Sequence, residues 1–361
     1  MAWEIFKYGW LPNSIIKRLF VVPKPTVPAL WIALHVIFFY TERMKQPVPF
    51  QAENVPPCDI TQSESPVGPK TALVCIVGRP SAGKSTFLNT ASGEKISIVS
   101  SVPQTTRNAI RGIVNTSLGQ LVFIDTPGLH QSGKKMNLKL TGIATGHVSE
   151  CDAILYLLDS TREHGEEESM IADLVYPHQG KMVIAINKTE DVRSNAAASH
   201  AFVSEHFPDF PLDRVIEISA KADHCINNVL KALYALAPEA PHLYPEEFCT
   251  DQEVDFRIAE IIREQAINRL EQELPHALYV EIENMRMAND HLLKVYARIC
   301  VECEGQKGIV IGKGASMVKA IRTQSEAVCA EIFPYRVSID IQVKVDKNWR
   351  QKDSVLNRLV H

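Results

Sequence analysis

The sequence predicts an α/β chain with two folded parts: a domain with a mostly parallel sheet and helices on both faces, followed by a smaller α+β domain. Three observations support this prediction. An apolar run of strand length leads directly into the glycine-rich stretch Gly78–Ser85. Apolar strands then alternate with helical stretches as far as residue 237, which is the pattern of a parallel sheet. A second glycine-rich stretch, Gly305–Ala315, lies between the shorter elements of the C-terminal third.

The stretch Gly78–Ser85 fits the pattern G-x-x-x-x-G-K-[S/T] without a mismatch. A strand, a glycine loop and a helix in this order place backbone N–H groups and a helix N-terminus around one concavity, which suits a phosphate chain. We expect Lys84 to reach the β- and γ-phosphates of a nucleotide and Ser85 to place its hydroxyl on Mg²⁺. The candidate loop residues are Gly78, Arg79, Pro80, Ser81, Ala82, Gly83, Lys84 and Ser85.

The composition is that of an ordinary globular protein. The chain has 361 residues, of which 45% are apolar and 22% charged, and its formal net charge of −4 means that a surface for nucleic acid has to be local. The 8 cysteines are scattered and several lie in apolar runs, which indicates reduced, buried thiols. Cys300 and Cys303 form a lone C-x-x-C on a predicted strand. An offset of three places them on opposite faces, which argues against a metal site or a disulfide.

Residues 1–70 differ from the rest of the chain. The strongly apolar run 26–40 would span about 22 Å as a helix, short of a hydrocarbon core of ~30 Å. Three interpretations fit: a weak membrane anchor, a disordered leader, or a segment outside the native protein with Met44 as the true start, which we favour. Residues 45–70 are rich in Pro, Ser, Gln and Glu and are expected to form a flexible tail.

Polar motifs follow the predicted strands of the first domain. Strands are predicted at 72–77, 109–114, 121–124, 153–159, 181–186 and 214–218, with a closing helix at 227–237. The third strand ends in Asp125-Thr126-Pro127-Gly128, where Asp125 can hold Mg²⁺ through water and the Gly128 N–H can meet a γ-phosphate. Upstream, Thr106 lies where a switch segment is expected, because its hydroxyl and carbonyl can close on Mg²⁺ only when a γ-phosphate is present.

Two further motifs indicate guanine as the base. They follow the fifth and sixth predicted strands and read Asn187-Lys188-Thr189-Glu190 and Ser219-Ala220-Lys221. A carboxylate in the first motif accepts hydrogen bonds from the ring N–H and the exocyclic amine of guanine, a pair that adenine does not offer, so the site prefers GTP. The carboxylate here is Glu190 where Asp is usual, and Asp191 follows it as an alternative.

The order of these motifs resembles the TrmE–Era branch of translation-factor-like GTPases. The stretches 104–107 (Gln-Thr-Thr-Arg) and 125–130 (Asp-Thr-Pro-Gly-Leu-His) resemble the Era-like GTPases in particular. The resemblance implies that Leu129 replaces the glutamine with which many GTPases orient the attacking water, so that hydrolysis is slow without a partner. Ser81 stands where relatives carry an asparagine that helps to hold potassium. The candidate catalytic residues are Lys84, Thr106 and Gly128, and the candidate metal ligands are Ser85, Thr106 and Asp125.

The C-terminal third has the element order of a KH RNA-binding module. The predicted order is a helix at 255–270, strands at 277–283 and 293–301, a glycine loop, a helix at 316–329 and a strand at 337–345. In KH domains a G-x-x-G loop clamps the backbone of about four single-stranded nucleotides. Aligned on Val310-Ile311-Gly312, the loop here is Gly312-Lys313-Gly314-Ala315, with alanine in place of the second glycine.

A local positive patch accompanies this loop, because no acidic residue occurs from Gln306 to Ser325. Positive side chains beside a glycine loop indicate contacts with the phosphates of RNA. The candidate RNA-binding residues are Lys307, Gly312, Lys313, Gly314, Ala315, Lys319 and Arg322. Near the C-terminus, further phosphate contacts are expected from Lys344, Lys347, Arg350 and Lys352.

A GTPase domain followed directly by a KH domain is the arrangement of Era-like GTPases, and the resemblance covers about residues 70–361. We assign residues 1–70 to a leader, 71–238 to the GTPase domain, 239–254 to a linker and 255–361 to the KH-type domain. The resemblance implies a cytoplasmic monomer that binds GTP or GDP with Mg²⁺ and hydrolyses GTP. It also implies binding to small-subunit ribosomal RNA near its 3′ end, a role in assembling the small ribosomal subunit, and peripheral association with the inner membrane. Two alternatives stay open: a tRNA-modification GTPase of the same branch, and a membrane-tethered signalling GTPase anchored through residues 26–40.

Overall fold

The computed structural model of the chain describes residues 68–100, 108–126 and 146–359. The predictions for the apolar run 26–40 and for Thr106, Pro127, Gly128 and Leu129 lie outside these residues. Within the described ranges, every helix is too short or too polar to cross a membrane.

The first domain is an α/β layer structure, as predicted from the alternation of strands and helices. Its elements in chain order are β1 (Lys70–Val77), α1 (Lys84–Ser92), β2 (Ile110–Thr116), β3 (Gly119–Asp125), β4 (Ala153–Asp159), α2 (Glu166–Val175), β5 (Met182–Asn187), α3 (Ala196–His206), β6 (Val215–Glu217) and α4 (Ile226–Leu236). The strands form a sheet in the order β2-β3-β1-β4-β5-β6. All neighbouring strands are parallel except β2 and β3, which are antiparallel.

The centre of this sheet is apolar on both faces. Every residue of β3, β4 and β5 is buried. One face packs against α1 and α4 through a core that includes Phe87 and Leu233, and the other packs against α2 and α3 through Ile171 and Phe202. Because helices cover both faces, the central strands read in the sequence as continuous apolar runs. Because β1, β3, β4 and β5 are parallel, their carboxyl ends meet at one edge of the sheet, where the phosphate loop and the polar motifs lie.

Residues 239–252 include a stretch that lies alongside the edge strand β2. The Thr250 hydroxyl donates to the Arg111 carbonyl at 2.7 Å, and the Ile113 N–H donates to the Cys249 carbonyl at 2.8 Å. Farther along, the Gln120 amide oxygen accepts from the backbone N–H groups of residues 243 and 244. An edge strand presents unpaired backbone groups, and this segment satisfies several of them.

The second domain is a three-stranded sheet with helices packed on one face. Its elements are α5 (Val254–Ile267), α6 (Leu274–Ala277), β7 (Tyr279–Asn289), β8 (Leu292–Val301), α7 (Glu304–Ile311), α8 (Ser316–Ile332), β9 (Arg336–Val345) and α9 (Asp353–Leu359). The strand order is β7-β8-β9, antiparallel between β7 and β8 and parallel between β8 and β9. Helices α5 and α8 supply Ile258, Ile262 and Ile321 to the core beneath the sheet.

The helix α7 corrects the sequence prediction, which treated 305–315 as one glycine loop. Glycines at 305 and 308 argue for a loop by propensity. In the structure neither glycine has a positive φ, and the side chain of Val310 is fully buried and anchors the helix in the core. The Gln306 side chain also accepts a hydrogen bond from the Glu302 N–H at 2.8 Å and so ties the first turn back to the chain before it. Tertiary packing overrides the local preference, and the loop proper begins at Gly312.

The C-terminal segment covers part of the other face of the small sheet. The Trp349 side chain is fully buried, its indole N–H donates to the Ala277 carbonyl at 2.9 Å, and its ring lies 5.0 Å from that of Tyr279. Val355 and Leu356 of α9 join the same cluster. The nearby Cys300 is buried and free, while Cys303 is exposed and free. The sequence analysis placed both cysteines on one strand, but β8 ends at Val301 and Cys303 directly precedes α7, so the opposite-face argument does not apply to this pair.

Candidate functional site

The phosphate loop is shaped by two glycines that no other residue can replace without a clash. Gly78 has φ +152°, and a Cβ on it would lie 2.6 Å from the Leu157 carbonyl oxygen. Gly83 has φ +100°, and a Cβ there would lie 2.3 Å from Nδ2 of Asn187. These backbone conformations disfavour any L side chain. The loop therefore requires glycine for conformation and for space at both positions.

The lysine of the loop is buried and folds over the loop itself. Its Nζ donates to the carbonyls of Gly78 at 2.9 Å and Arg79 at 3.1 Å. Burial lowers the pKa of Lys84, and the negative charge of Asp125 opposes that shift. An ammonium held against backbone carbonyls in a buried loop can exchange them for the more negative oxygens of a phosphate chain.

Asp125 lies at the carboxyl end of β3 with its side chain buried beside the loop helix. Its Oδ2 accepts from the Ser85 hydroxyl at 2.6 Å and from the Ser97 hydroxyl at 2.8 Å. Its Oδ1 is buried and has no hydrogen-bond partner among the described residues. Burial raises the pKa of Asp125, against the opposing effects of Lys84 and the two hydroxyls. A carboxylate and a hydroxyl are ligands that Mg²⁺ prefers, and a cation here would satisfy the remaining carboxylate oxygen. The donor set therefore fits Mg²⁺.

The buried side chain of Arg79 ties the loop to the helix α2 and the residues before it. Its Nε lies 3.2 Å from Oε2 of Glu168, and its guanidinium donates to the carbonyls of Glu163 and Asp159. The Tyr156 hydroxyl donates to Oε1 of Glu168 at 2.7 Å. Burial raises the pKa of Glu168, and Tyr156 and Arg79 oppose the shift. The buried ion pair between Arg79 and Glu168 therefore fixes Arg79, the second residue of the phosphate loop.

Asn187 joins the base motif to the phosphate loop. Its Nδ2 donates to the Ala82 carbonyl at 2.8 Å, and its Oδ1 accepts from the Ala220 N–H at 2.9 Å. One buried side chain therefore connects three predicted motifs. The Thr189 hydroxyl donates to the Ile218 carbonyl at 3.0 Å, which adds a second link between the Asn-Lys and Ser-Ala-Lys stretches. The Ser219 side chain accepts from the N–H of residue 222 and shapes the turn that carries Lys221.

Lys188 is positioned by an acid that was not among the predicted site residues. Its Nζ lies 2.7 Å from Oδ2 of Asp159, at the carboxyl end of β4. Burial alone would raise the pKa of Asp159, but hydrogen bonds from Lys188 and Thr161 hold it below its usual value. The ion pair extends the Lys188 side chain along the base motif.

The two carboxylates considered for guanine recognition differ in their surroundings. Glu190 is exposed. The Asp191 carboxylate accepts two hydrogen bonds from the Arg193 guanidinium, at 2.9 and 2.7 Å, and one from the Arg193 N–H. Asp191 is therefore engaged with Arg193 at the surface, and both carboxylates stay candidates for the contact with guanine.

In the second domain the predicted clamp lies between α7 and α8. Gly312 has φ +73°, and a Cβ there would lie 2.8 Å from Cβ of Met317. Gly314 has φ +60° with open space around it. Ala315 has φ +61° and ψ +26°, which is a left-handed conformation that alanine rarely adopts. The loop keeps the backbone path of a glycine loop even though its last residue carries a methyl group.

The positive patch divides into free and paired side chains. Lys313, Lys319 and Arg322 are exposed, and no ion pair holds them among the described residues. Lys307 pairs with Glu304 of its own helix at 3.6 Å. The C-terminal group was expected to add phosphate contacts, but three of its members pair with acids: Lys344 with Glu283, Arg350 with Glu302 and Lys352 with Asp346. The free positive charge is therefore concentrated at the loop and the start of α8.

The sequence did not indicate three residues that support the site. Ser97 bonds Asp125, Glu168 holds Arg79, and Asp159 holds Lys188. Asp159 ends a buried apolar strand, as Asp125 does, and that signal could have identified it. Ser97 lies between two isoleucines and Glu168 lies in a run of acidic residues, and in both cases only the fold brings the side chain to the loop.

A glycine phosphate loop, a carboxylate with a metal-type donor set and an Asn-Lys motif meet at one sheet edge, and a glycine loop with free positive charge follows in the second domain. This fold and these sites define a P-loop GTPase joined to an RNA-binding KH domain. The family described as 50S ribosome-binding GTPase matches residues 73–188, and the KH domain family matches residues 273–350.

Similar proteins identify the family more closely. The chain is 55% identical over 290 residues to GTPase Era of Treponema denticola, an alignment that covers 80% of this chain and 99% of the relative. GTPase Era of Treponema pallidum is 42% identical over 312 residues, covering 81% of this chain and 98% of the relative. The chain belongs to the GTPase Era family, and it is a GTPase that hydrolyses GTP.

Two solved structures have the same fold over most of the chain. Era of Aquifex aeolicus bound to GDP and AlF₄⁻ superposes with a TM-score of 0.76 at 28% identity, covering 80% of this chain and 98% of that one. A crystal structure of Era in complex with MgGDPNP and nucleotides 1506–1542 of 16S ribosomal RNA gives the same TM-score and identity and covers 81% of this chain.

Proposed function

We propose that this GTPase binds small-subunit ribosomal RNA near its 3′ end through the KH domain and assists assembly of the small ribosomal subunit under the control of its bound nucleotide. The observation that carries the proposal is the pairing of a nucleotide site with the loop 312–315. The solved Era complex supports it, because that protein holds MgGDPNP and a 16S ribosomal RNA fragment together. We further propose a cytoplasmic monomer with peripheral membrane association.

The charge and shape of the loop 312–315 favour a single strand of RNA. Gly314 leaves open space beside the backbone, and the exposed Lys313 and Lys319 provide positive charge next to it. A KH loop of this kind clamps a sugar–phosphate backbone rather than a duplex. Arg322 lies one turn beyond Lys319 on the same exposed helix and extends the charge along α8.

In the proposed reaction, water attacks the γ-phosphorus of GTP and the bond to the β–γ bridging oxygen breaks, which releases GDP and inorganic phosphate while the loop holds the phosphates. Lys84 exchanges its bonds with the Gly78 and Arg79 carbonyls for bonds with phosphate oxygens, and backbone N–H groups at the start of α1 donate to the same chain. When bound, Mg²⁺ neutralises charge on the β- and γ-phosphate oxygens. Ser85 and Asp125 would hold it, because both lie at the site with oxygen donors. Thr106 and Gly128 stay predicted contacts to the metal and the γ-phosphate.

Crosslinking of the full chain to RNA in cells tests the proposal. We expect 16S ribosomal RNA to be enriched over 23S ribosomal RNA, with crosslinks near its 3′ end. The double variant K313E/K319E should lose this signal by about tenfold or more, because each reversal removes a phosphate contact and adds repulsion. The matched control K231E reverses an exposed lysine of the first domain and should keep the signal. Equal recovery of both ribosomal RNAs would overturn the assignment to the small subunit.

A further inference from the structure

The segment Lys95–Val99 pairs with no strand among the residues that the structure describes, yet side chains satisfy much of its backbone. It follows α1 and makes hydrogen bonds to residues of both domains. From α1, the Asn89 side chain accepts from the N–H groups of Ile96 and Ser97 at 2.9 and 2.8 Å and donates to the Ser97 carbonyl at 2.8 Å. Ile96 and Ile98 are buried. The path of this segment is therefore set by its neighbours.

The neighbours on the other side belong to α5 of the KH domain and to the residues just before it. Oε1 of Glu264 accepts from the Val99 N–H at 2.9 Å, and Oε2 accepts from Lys95 Nζ at 2.6 Å. Arg257 donates to the Lys95 carbonyl at 3.1 Å, and Gln252 donates to the Ile96 carbonyl at 3.4 Å. Glu264 is the central member of this group, because it holds the segment at both ends.

The same segment reaches the nucleotide site through one hydroxyl. Ser97 is buried, and its Oγ donates to Oδ2 of Asp125, the oxygen that also accepts from Ser85. Two hydroxyls on Oδ2 turn the carboxylate so that Oδ1 is left for a cation. A shift of the Ser97 backbone would therefore change the orientation of the metal-binding carboxylate.

We propose that Glu264, a residue of the KH domain, is a positioning residue for the nucleotide site: it fixes the segment Lys95–Val99, and Ser97 then orients Asp125 for Mg²⁺ and the nucleotide. The inference rests on the proposed magnesium site. It adds a direct link by which the first KH-domain helix sets the affinity for magnesium-bound nucleotide.

The burial and the hydrogen-bond partners of Glu264 restrict the movement of its side chain. Glu264 lies on the helix that supplies Ile261 and Ile262 to the KH core, and its side chain is 3% exposed. The Gln265 side chain donates to Oε2 at 3.2 Å as well. A buried carboxylate with several donors cannot move without leaving partners unsatisfied. The position of α5 is therefore transmitted to the segment.

Release of a fluorescent GDP analogue, mant-GDP, from the full-length protein tests the link, measured against MgCl₂ concentration and in EDTA. We expect E264A to raise the half-maximal Mg²⁺ concentration by about tenfold, which is the effect of one charge-assisted hydrogen bond. The amide of E264Q can still accept from the Val99 N–H but cannot bind the Lys95 ammonium, so its effect should be smaller. S97A should match E264A, and the release rate in EDTA should stay that of the wild type. A merely structural role would change release in EDTA as well.

The double variant S97A/E264A decides whether the two residues act in one chain. We expect it to be no worse than S97A alone, because residues that act through one link are not additive. D255N is the matched control: Asp255 is an exposed acid on the same helix, bonded to the N–H of its neighbour Phe256, and its variant should behave as wild type. Thermal unfolding checks each variant, and E264Q carries the test if E264A unfolds.

Two results would overturn the proposal. One is a wild-type Mg²⁺ dependence in both glutamate variants, and the other is an S97A/E264A effect equal to the product of the single effects. Insensitivity of wild-type GDP release to Mg²⁺ is a separate result, because it would remove the proposed magnesium site itself. Crosslinking to 16S ribosomal RNA tests the proposed function alone, so its failure would be distinguishable from a failure of the link through Glu264.

Discussion

The phosphate loop 78–85 and the KH loop 312–315 both contain residues with positive φ. They differ in how much space surrounds those residues for a Cβ. In the phosphate loop, Gly78 and Gly83 have positive φ values, and a Cβ on either would meet atoms of a neighbouring element. In the KH loop only Gly312 has this double requirement. Gly314 and Ala315 have left-handed φ values of +60° and +61°, and a Cβ on Gly314 would meet nothing within 4 Å.

Each loop also holds one residue that carries a Cβ in left-handed backbone. These residues are Ser81 and Ala315, with φ values of +65° and +61°. Ser81 is exposed, and Ala315 is half-buried. A left-handed residue with a Cβ costs about 1–2 kcal/mol, whereas a collision with packed atoms costs more. Left-handed backbone alone therefore does not require glycine in either loop, whereas Gly78, Gly83 and Gly312 are also closed in by neighbouring atoms.

The largest effect that would test this comparison is expected from G83A. The new methyl group would displace Asn187, which holds the Ala82 carbonyl and the Ala220 N–H. Strain and two lost hydrogen bonds together amount to about 3 kcal/mol. Because the displaced side chain belongs to the base motif, we expect the affinity for mant-GDP to fall by more than about 100-fold. Fluorescence titration measures it.

Gly180 provides the control for this substitution. It lies in the same domain with ordinary φ, and a Cβ there would meet nothing within 4 Å. The G180A variant should bind mant-GDP as the wild type does. A G83A protein that kept wild-type affinity would show that Asn187 can move without loss of nucleotide binding. Lack of space for a Cβ would then not be the reason that residue 83 is glycine.

The first domain was largely predictable because its signals are local and repeated. Each buried strand is a continuous apolar run, and each motif follows directly on a strand such as β3 or β5. The supporting residues were harder to find. Ser97 reaches Asp125 only because Asn89 and Glu264 hold an irregular segment that is hydrogen-bonded to both domains, and Glu168 reaches Arg79 from the far side of the sheet. Contacts of this kind depend on the fold and leave no periodic pattern in the sequence.

The second domain shows the opposite case, where a local signal misled. The glycines of 305–315 indicate one long loop by propensity, but Val310 inserts into the core and makes α7 a helix. Likewise, Lys344, Arg350 and Lys352 read as a positive tail, although the fold places an acid beside each of them. The loop 312–315 itself was located correctly because Val310-Ile311-Gly312 fixes its register.

A smaller effect is expected from G314A, which isolates conformation from space. Its methyl group would meet nothing, so only the strain of the left-handed backbone remains, about 1 kcal/mol in the free energy of unfolding. Gly93 provides a matched control, because it ends α1 with φ +69° in equally open space. Chemical denaturation should show similar losses for G314A and G93A. Only G314A should also weaken binding to an RNA of 16S nucleotides 1506–1542, measured by fluorescence anisotropy.

The smallest effect, and the one that separates strain from function in the KH loop, is expected from A315G. Alanine at φ +61° and ψ +26° carries about 1–2 kcal/mol of strain, and glycine there would relieve it. Glycine also adds about 0.5–1 kcal/mol of unfolded-state entropy, so the net gain in the free energy of unfolding is about 0.5–1 kcal/mol. Removing the methyl group restores the G-x-x-G form of the clamp, and we expect affinity for the same RNA to rise several-fold. Denaturation and anisotropy report the two effects independently. A gain in stability without a gain in RNA affinity would show that the RNA backbone does not approach residue 315. A loss of stability would show instead that packing of the Ala315 methyl group outweighs the strain of its left-handed backbone. Conformational strain would then not be the main energetic term at residue 315.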